Sequence, residues 1–555
     1  MANPAADFPA ALHTATDVSA FIGQKLGLTS PTQTQLAGKQ EQEIVALDTK
    51  VGIGSTSPAT GTALVAGNTA GQSVWAKQWY NVRAWGAHGD GASDDTAHIQ
   101  GVIDAADTAG GGIVYVPTGT YCIDLSTSLQ MKSNVHIICE YGTFFIYLHA
   151  EDYDNHNFVE ATGKDNWSWT GGDFSGDRIV HGSGTPNEHC HAFYILGCDN
   201  VLLRDFSAHK CHGDGIYIGD NNGDNSTDII IRDVYCYDNW RNGMSICGGT
   251  RIYVYDSRFN DNGYRADGLW PNAGVDLEPN SGDINDGIYF YDCEFKGNDW
   301  QGFITGANQS YRVELHNCRI RGNGHKTRSG YATYFNGFDL TVITDVLFEG
   351  CVVSGNYLRG GRSQGTNVRF VDCQMYSNGA GGGSGGEGLW MDGTDCHVIG
   401  GSYFSNAGTS GRGISISQGS LPKTITGARC YNNGNAGIEV TLTGAIVSGC
   451  LCQLNNRDGI YVGSVNNVVV ANNVVVANNQ SGGATFQNIR LVSCTSARVY
   501  NNVTEQGTQS NKPDYGIKLD TCTTCNVHEN VELTGGEVGG YLDTGGTGNV
   551  HVAGA

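Results

Sequence analysis

The stretch CEFKGNDWQGFIT, Cys293 to Thr305, decides the fold because its pattern recurs along the chain. A cysteine is followed five residues later by an asparagine, and then by a glycine that opens a run of alternating apolar residues. The recurrences are CRIRGNG (Cys318 to Gly324), CVVSGNYLRGG (Cys351 to Gly361), CQMYSNG (Cys373 to Gly379) and CLCQLNNRDGIYVG (Cys450 to Gly463). A period of roughly 20 to 30 residues predicts a solenoid, in which each coil buries its apolar face on its neighbours.

Working outward, three segments are predicted. Residues 125–555 carry the repeats and would form about 15 to 20 coils at that period. Residues 76–124 contain the amphipathic stretch SDDTAHIQGVIDAADTAGGG, in which Ser93 is the expected N-cap, with Asp94 and Asp95 in the first turn. A short helix there caps the open end of a solenoid, whose terminal coil is otherwise an unpaired edge.

Residues 1–75 differ from the rest of the chain. Leu36, Ile44, Leu47 and Val51 form a thin heptad-like stripe, and a Gly/Ser/Thr linker follows. A stripe this thin cannot fold alone, so the segment is interpreted as an attachment or self-association element, with a homotrimer expected. A disordered leader is the alternative.

Charge and cysteine usage limit the partners. The net charge of -23 repels nucleic acid and anionic membrane surfaces, and neither is expected as a partner. No apolar stretch approaches a membrane span, and the N-terminus lacks the features of a secretory signal. The 18 cysteines share recurring positions, which predicts stacked free thiols in the core rather than a metal site or a disulfide framework. The recurring asparagines are predicted to stack as a structural ladder.

Residues 80–121, YNVRAWGAHGDG through GGGIVYVPTGTY, resemble the start of the pectate-lyase-like proteins. That superfamily has right-handed single-stranded parallel β-helices and includes alginate C5-epimerase modules and phage tailspike depolymerases. The resemblance implies this all-β fold. The segments TATDVSAFIGQKLGL (Thr14 to Leu28) and KQEQEIVALDTKVGIGS (Lys39 to Ser55) look like the leaders of phage tail-fibre and minor tail proteins, which implies a place in a virion tail.

Aligning the coils on the glycine assigns inward and outward side chains. In DGIYIG (Asp214 to Gly219), NGMSIC (Asn242 to Cys247) and AGVDLE (Ala273 to Glu278), the first and third residues after glycine are apolar. Strand side chains alternate, so the second and fourth residues face outward. The outward column at the second position is predicted to contain Tyr217, Ser245, Asp276, Ile304, Trp390, Ser415, Glu439, Tyr461 and Lys518.

Asp276 and Glu278 place two acids on one outward strand face, with Cα atoms roughly 6.5 to 7 Å apart. Two carboxyl groups suit glycoside hydrolysis, one as acid and one as base, and mutual repulsion raises one pKa. Asp214 is a third catalytic candidate. The ordinary alternative is that these acids are solvated surface and turn residues.

Other residues form the expected binding surface. Those near the acids are Tyr217, Ser245, Trp270, Arg241 and His212, and Trp390 with Asp392 forms a second patch. Aromatic side chains beside carboxylates suit a sugar ring, and Arg241 suits an anionic substituent.

Three functions stay open at this point. The first is a tailspike or tail-fibre depolymerase that hydrolyses a polysaccharide on a bacterial surface. The second is a polysaccharide lyase or uronate C5-epimerase, although in the coil that best matches the epimerases Tyr217 and Gly219 occupy the slots of the catalytic Asp and His. The third is a non-catalytic receptor-binding tail protein. No cofactor is expected, with Ca²⁺ left open.

Overall fold

The computed structural model describes residues 79–148, 157–178, 189–263, 272–324, 336–381, 385–482, 485–532 and 538–553. Within them the chain winds into a right-handed parallel β-helix of 50 strands that form three long faces. The repeat pattern predicts the solenoid, and the family resemblance implies its handedness. The attachment segment expected over residues 1–75 and the binding residue Trp270 lie outside the described residues.

The three faces are named sheets A, B and C in the order in which the chain first enters them. The strands of sheet A are Trp79–Asn81, Gly112–Val116, Val135–Cys139, Ser168–Thr170, Asp199–Arg204, Asp224–Arg232, Gly249–Tyr255, Asn285–Tyr291, Ser310–His316, Ile343–Glu349, Thr366–Val371, Thr394–Ile399, Lys423–Thr426, Ile446–Ser448, Val469–Ala471, Arg498–Tyr500, Asn526–Glu532 and Val550–Ala553. The strands of sheet B are Asp90–Asp94, Gly119–Ile123, Thr143–Tyr147, Asp173–Ser175, Ser207–His209, Tyr235–Tyr237, Arg258–Asn260, Glu294–Lys296, Arg319–Arg321, Val352–Ser354, Gln374–Tyr376, Ser402–Phe404, Arg429–Tyr431, Leu451–Gln453, Val474–Val476 and Val503–Glu505. The strands of sheet C are Leu129–Gln130, Val159–Thr162, Phe193–Leu196, Ile216–Asn221, Met244–Ile246, Val275–Leu277, Phe303–Thr305, Phe338–Leu340, Gly361–Ser363, Leu389–Met391, Ile414–Ile416, Ile438–Val440, Ile460–Gly463, Ile489–Val492, Tyr515–Asp520 and Gly539–Thr544.

A single-turn 3₁₀ helix, Val82–Trp85, and the capping helix, Thr96–Thr108, precede the regular coils. The predicted apolar face of the capping helix, which includes Ile99 and Val102, is buried. The predicted N-cap is wrong, because Asp95 occupies that position and Ser93 belongs to the strand before it. The Ser93 hydroxyl donates to the Asp90 carboxylate at 2.9 Å, so a local turn uses the side chain that was expected to cap the helix.

The core is the inside of the coil. Inward residues of sheet C such as Ile216, Met244 and Val275 are fully buried and stack in register with one another. All 18 cysteines are free and buried, in agreement with the predicted thiol stacks. Among the described residues no helix is long and apolar enough to cross a membrane.

The predicted asparagine ladder is confirmed. At Asn323 the side-chain amide donates to the Asn356 Oδ1 at 3.0 Å and to the Phe295 carbonyl at 3.1 Å, while its own Oδ1 accepts from the Asn298 backbone N–H at 3.1 Å. The same bonds join Asn356 to Asn378 one coil later. Each amide thereby satisfies backbone groups that the turn between sheets B and C leaves without a ladder partner.

Candidate functional site

The outward side chains of sheet C form the column predicted from the glycine alignment. Tyr217, Ser245, Asp276 and Ile304 are register partners on successive strands. Tyr194 precedes them in the same column, and the alignment missed it because Ala192 stands near the start of that strand in place of the usual glycine.

This outward column is unusually buried. Ser245 is 2% exposed and Asp276 4%, whereas outward residues of sheet A such as Ile230 and Tyr311 are 41% and 38% exposed. Several connections into sheet C are long, at 176–192, 261–274, 322–337 and 377–388. The outward column is therefore partly shielded from solvent, and burial of this kind shifts the pKa values of carboxyl groups strongly.

The strand Val275–Leu277 positions the predicted acid pair. Asp276 is buried, Glu278 is half-buried, and a side-chain hydrogen bond joins them. Burial raises the pKa of Asp276 well above its ordinary value, the Glu278 and Asp214 carboxylates raise it further, and the Arg241 guanidinium opposes them. Asp276 therefore keeps its proton to a higher pH than an ordinary aspartate does.

Asp214 lies beneath this pair and is completely buried. Its carboxylate accepts the Asn242 backbone N–H at 2.9 Å and the Ser245 hydroxyl at 2.8 Å, and it lies 3.8 Å from Arg241 Nε. Asp214 thus orients Ser245 and holds a guanidinium in place. A group enclosed in this way acts on a ligand through Ser245 and Arg241, so its predicted catalytic role stays a prediction.

An aromatic surface lies on the N-terminal side of the acids. The Tyr194 and Tyr217 ring centroids are 5.0 Å apart, and the His191 ring stacks on Tyr194 with centroids 5.5 Å apart and planes at 4°. His191 Nδ1 accepts the Asp214 backbone N–H at 2.8 Å. Burial lowers the pKa of His191 well below its usual value, and the Arg241 charge acts in the same direction, so the ring is neutral with its proton on Nε2.

Two predicted binding residues are buried in this structure. Arg241 lies beside Asp214, whose charge it balances, and its predicted contact with an anionic substituent stays a prediction. His212 is buried with its ring perpendicular to that of Trp240, at a centroid distance of 3.6 Å.

The second predicted patch lies farther along the same face. Trp390 is the outward residue of the strand Leu389–Met391, beneath the guanidiniums of Arg359 and Arg362 at 4.4 and 4.7 Å from its ring centroid. Asp392 accepts two hydrogen bonds from Arg362, at 3.0 and 2.8 Å. Asp339 belongs to this patch and was missed, although NGFDL carries the same glycine signal.

Family comparisons cover both halves of the β-helix. The family model described as rhamnogalacturonase A/epimerase, pectate lyase-like, matches residues 79–294. The right-handed beta helix region matches residues 331–502 and 387–554.

Among curated proteins, mannuronan C5-epimerase AlgE1 of Azotobacter vinelandii is 55% identical over 64 residues, which are 11% of this chain and 5% of the relative. Alginate lyase 7 of the same organism is 50% identical over 64 residues, or 11% of this chain and 8% of the relative. The matched part thus spans only a small fraction of these relatives. Among solved structures, the N-terminal fragment of bacteriophage Phi29 gene product 12 is 13% identical, with a TM-score of 0.48 over 84% of this chain and 93% of that chain.

Proposed function

This chain belongs to the pectate-lyase-like superfamily of right-handed parallel β-helices, and we propose that it depolymerises a polysaccharide by hydrolysis at Asp276 and Glu278. The observation that carries the proposal is the buried Asp276, whose pKa is raised well above its ordinary value, beside Glu278 on the outward face of sheet C. A carboxylic acid with a raised pKa is what protonation of a glycosidic oxygen requires.

The proposed steps follow from the pair. The glycosidic oxygen replaces Glu278 as acceptor of the Asp276 proton, and the bond to the anomeric carbon breaks as the proton is transferred. Glu278, released from its hydrogen bond, takes a proton from the attacking water, whose oxygen forms the new bond to that carbon. In the free protein the two carboxyl groups are in contact, closer than the roughly 5 to 9.5 Å of working glycosidase pairs, so the substrate must separate them.

The neighbouring side chains support a sugar at this place. The rings of Tyr217 and Tyr194 lie two and three strands before Asp276, and the buried His191 ring packs against them. Sugar rings pack on such faces through their C–H groups, and the adjacent hydroxyl of Ser245 is oriented by Asp214.

The test uses the purified full chain and a panel of bacterial capsule, cell-wall and uronic-acid polysaccharides. We expect new reducing ends without the ultraviolet absorbance of unsaturated uronates. Asp276→Asn and Glu278→Gln should each lower kcat by about 10² to 10⁴-fold. The matched control is Asp292→Asn, an exposed aspartate of the same coil whose positive φ of 55° an asparagine also accommodates. Full activity in both site variants would sink the assignment.

A second candidate is a uronate lyase or C5-epimerase, favoured by the 55% identity to a mannuronan C5-epimerase over 64 residues. Reducing ends that appear together with ultraviolet absorbance would establish the lyase. A change in the proton NMR spectrum of a polyuronate without chain cleavage would establish the epimerase.

We also propose that the chain acts as a homotrimeric tailspike or tail fibre on a bacterial surface, with residues 1–75 attaching it to the virion. The support is the sequence likeness of that segment to phage tail leaders and its heptad-like stripe. Light scattering on the full chain should give a trimer, and Ile44→Asp with Leu47→Asp should reduce it to a monomer. A wild-type monomer contradicts this assembly. Binding to cells without turnover of any polysaccharide would instead indicate a receptor-binding protein.

A further inference from the structure

Three buried oxygen acceptors converge on the patch around Arg362. Asp339 is 6% exposed; its Oδ2 accepts the Asn336 side-chain N–H at 3.2 Å, and its Oδ1 has no hydrogen-bond donor among the described residues. The Oδ1 atoms of Asn336 and Asp392 are likewise buried without a donor in the part of the chain that the structure describes. Asp339 and Asp392 interact electrostatically, so their carboxyl groups are neighbours.

Buried acceptors without donors are costly. Each oxygen loses its hydration when it is buried, and native proteins leave few such groups without a replacement donor. Three in one place indicate that something else supplies the donors. All three of these buried oxygens are acceptors, so a ligand that satisfies them must donate several hydrogen bonds within a small volume.

The cations of this patch are already committed. Arg362 is held by Asp392 in two hydrogen bonds, and Arg359 donates to Glu387 at 2.8 Å. Arg412 bridges Glu387 and Glu439. Within the described residues these guanidiniums are paired with protein carboxylates, and the Lys423 ammonium near Asp392 donates to the Met391 and Gln418 carbonyls.

Trp390 adds an aromatic plane beside the acceptors. Its ring lies under the two guanidiniums, which fix its orientation. Burial raises the pKa of Asp339 to about 6, so at neutral pH this carboxyl is mostly ionised and both of its oxygens accept. An anionic sugar would meet two carboxylates here, whereas the hydroxyl groups of an uncharged sugar would satisfy them.

We propose that Asn336, Asp339, Asp392 and Trp390 form a subsite for an uncharged, hydroxyl-rich sugar residue of the bound polysaccharide. Ring hydroxyls donate to the three orphan oxygens, and Trp390 borders the ring. Asp339 lies two strands from Asp276 in one column, or about 10 Å along the axis, and Trp390 lies about 19 Å away. This inference rests on the proposed function for the identity of the polymer, and it implies that the polymer is not a pure polyuronate.

The test observes Trp390 without requiring turnover. The full chain is labelled with 5-fluorotryptophan for fluorine NMR. The resonance of Trp390, one of the 9 tryptophans, is assigned with Trp390→Phe. Glucose, galactose, mannose and N-acetylglucosamine are titrated at neutral pH beside glucuronate and galacturonate. We expect at least one uncharged sugar to shift the Trp390 line and neither uronate to do so.

Variants separate a ligand site from a structural role. Asp339→Leu should weaken binding of the responding sugar more than tenfold, and Asp339→Asn should weaken it less. The control Asp292→Asn should leave the titration unchanged. Unmoved lines from the other tryptophans confirm that each variant is folded. An equal response to a uronate, or no response to any uncharged sugar, overturns the proposal and leaves the oxygens hydrated only.

The two proposals fail separately. Asp276→Asn should abolish hydrolysis and keep the Trp390 response. A Trp390 response in a chain that hydrolyses nothing would leave the subsite standing and reject the catalytic assignment. Hydrolysis without any Trp390 response would reject the subsite alone.

Discussion

Asp214→Asn is the substitution that tests the electrostatics of the acid pair. It removes one buried negative charge while keeping a side chain of the same shape, and asparagine can still accept from the Asn242 N–H and contact Ser245. Asp214 is one of the carboxylates that raise the pKa of Asp276, so its replacement lowers that pKa.

The size of this fall in the pKa of Asp276 follows from the geometry. Asp214 Oδ2 is 2.8 Å from Ser245 Oγ, and Ser245 pairs with Asp276 on the next strand. With strands about 4.8 Å apart, the two carboxyl groups are roughly 7 Å from each other. At an effective dielectric constant of about 20, two charges at that distance interact by about 2.4 kcal/mol. One pKa unit is about 1.4 kcal/mol, so the pKa of Asp276 should fall by about 1 to 2 units.

The assay is the pH dependence of kcat for hydrolysis of whichever polysaccharide the chain cleaves. A general acid works only while protonated, so activity is lost as the pH rises through the pKa of Asp276. In Asp214→Asn the alkaline limb of the profile of kcat against pH should move by about 1 to 2 pH units to lower pH, with a smaller effect on the maximum rate. Asp292→Asn should leave the limb in place. An unmoved limb, or one shifted to higher pH, would refute Asp276 as the proton donor.

Three further predictions concern charge and stability. Arg241→Gln should move the same alkaline limb to higher pH, since the guanidinium lowers the pKa of Asp276; a shift to lower pH would contradict the assigned charges. Burial raises the pKa of Asp458 from 3.8 to about 7, so the protonated Asp458 contributes to stability below pH about 4, and this contribution is lost as the pH rises through 7. Asp458→Asn should remove about 4 kcal/mol of this pH-dependent loss in the free energy of unfolding, measured by urea unfolding across this range, and an unchanged pH dependence would count against it. Asn323→Ala breaks four side-chain hydrogen bonds, to Asn356, to Phe295 and two to Asn298, and should destabilise by about 3 to 5 kcal/mol in the same assay, whereas a loss below 1 kcal/mol would mean that water replaces the ladder.

The pattern of the coils was predictable because it is local and repeated. A glycine at the start of each strand and a side-chain period of two were enough to place Tyr217, Ser245 and Asp276 in one outward column. The ladder through Asn323 and the buried thiols follow from the same repetition, since identical positions of successive coils must stack.

Failures of sequence reasoning occur where a side chain has a choice of partners. Ser93 looked like a helix cap, but its hydroxyl bonds Asp90 and Asp95 begins the helix. Arg241 was expected to contact a ligand; the structure adds an ion pair with Asp214 from another coil, and the ligand contact stays a prediction.

The sequence by itself determined the β-helix, the outward column and the two-residue spacing of Asp276 and Glu278, because strand alternation and coil repetition are properties of short segments. The strand ends at Leu277, so Glu278 follows it instead of belonging to it. Only the tertiary structure decided that this outward face is buried and that Asp214 adds its charge from another coil. It alone showed that Asp339 and Asp392 each keep one buried oxygen without a donor among the described residues. Burial and charge proximity depend on which distant segments cover a residue, and the residue's own neighbours in the chain do not encode that.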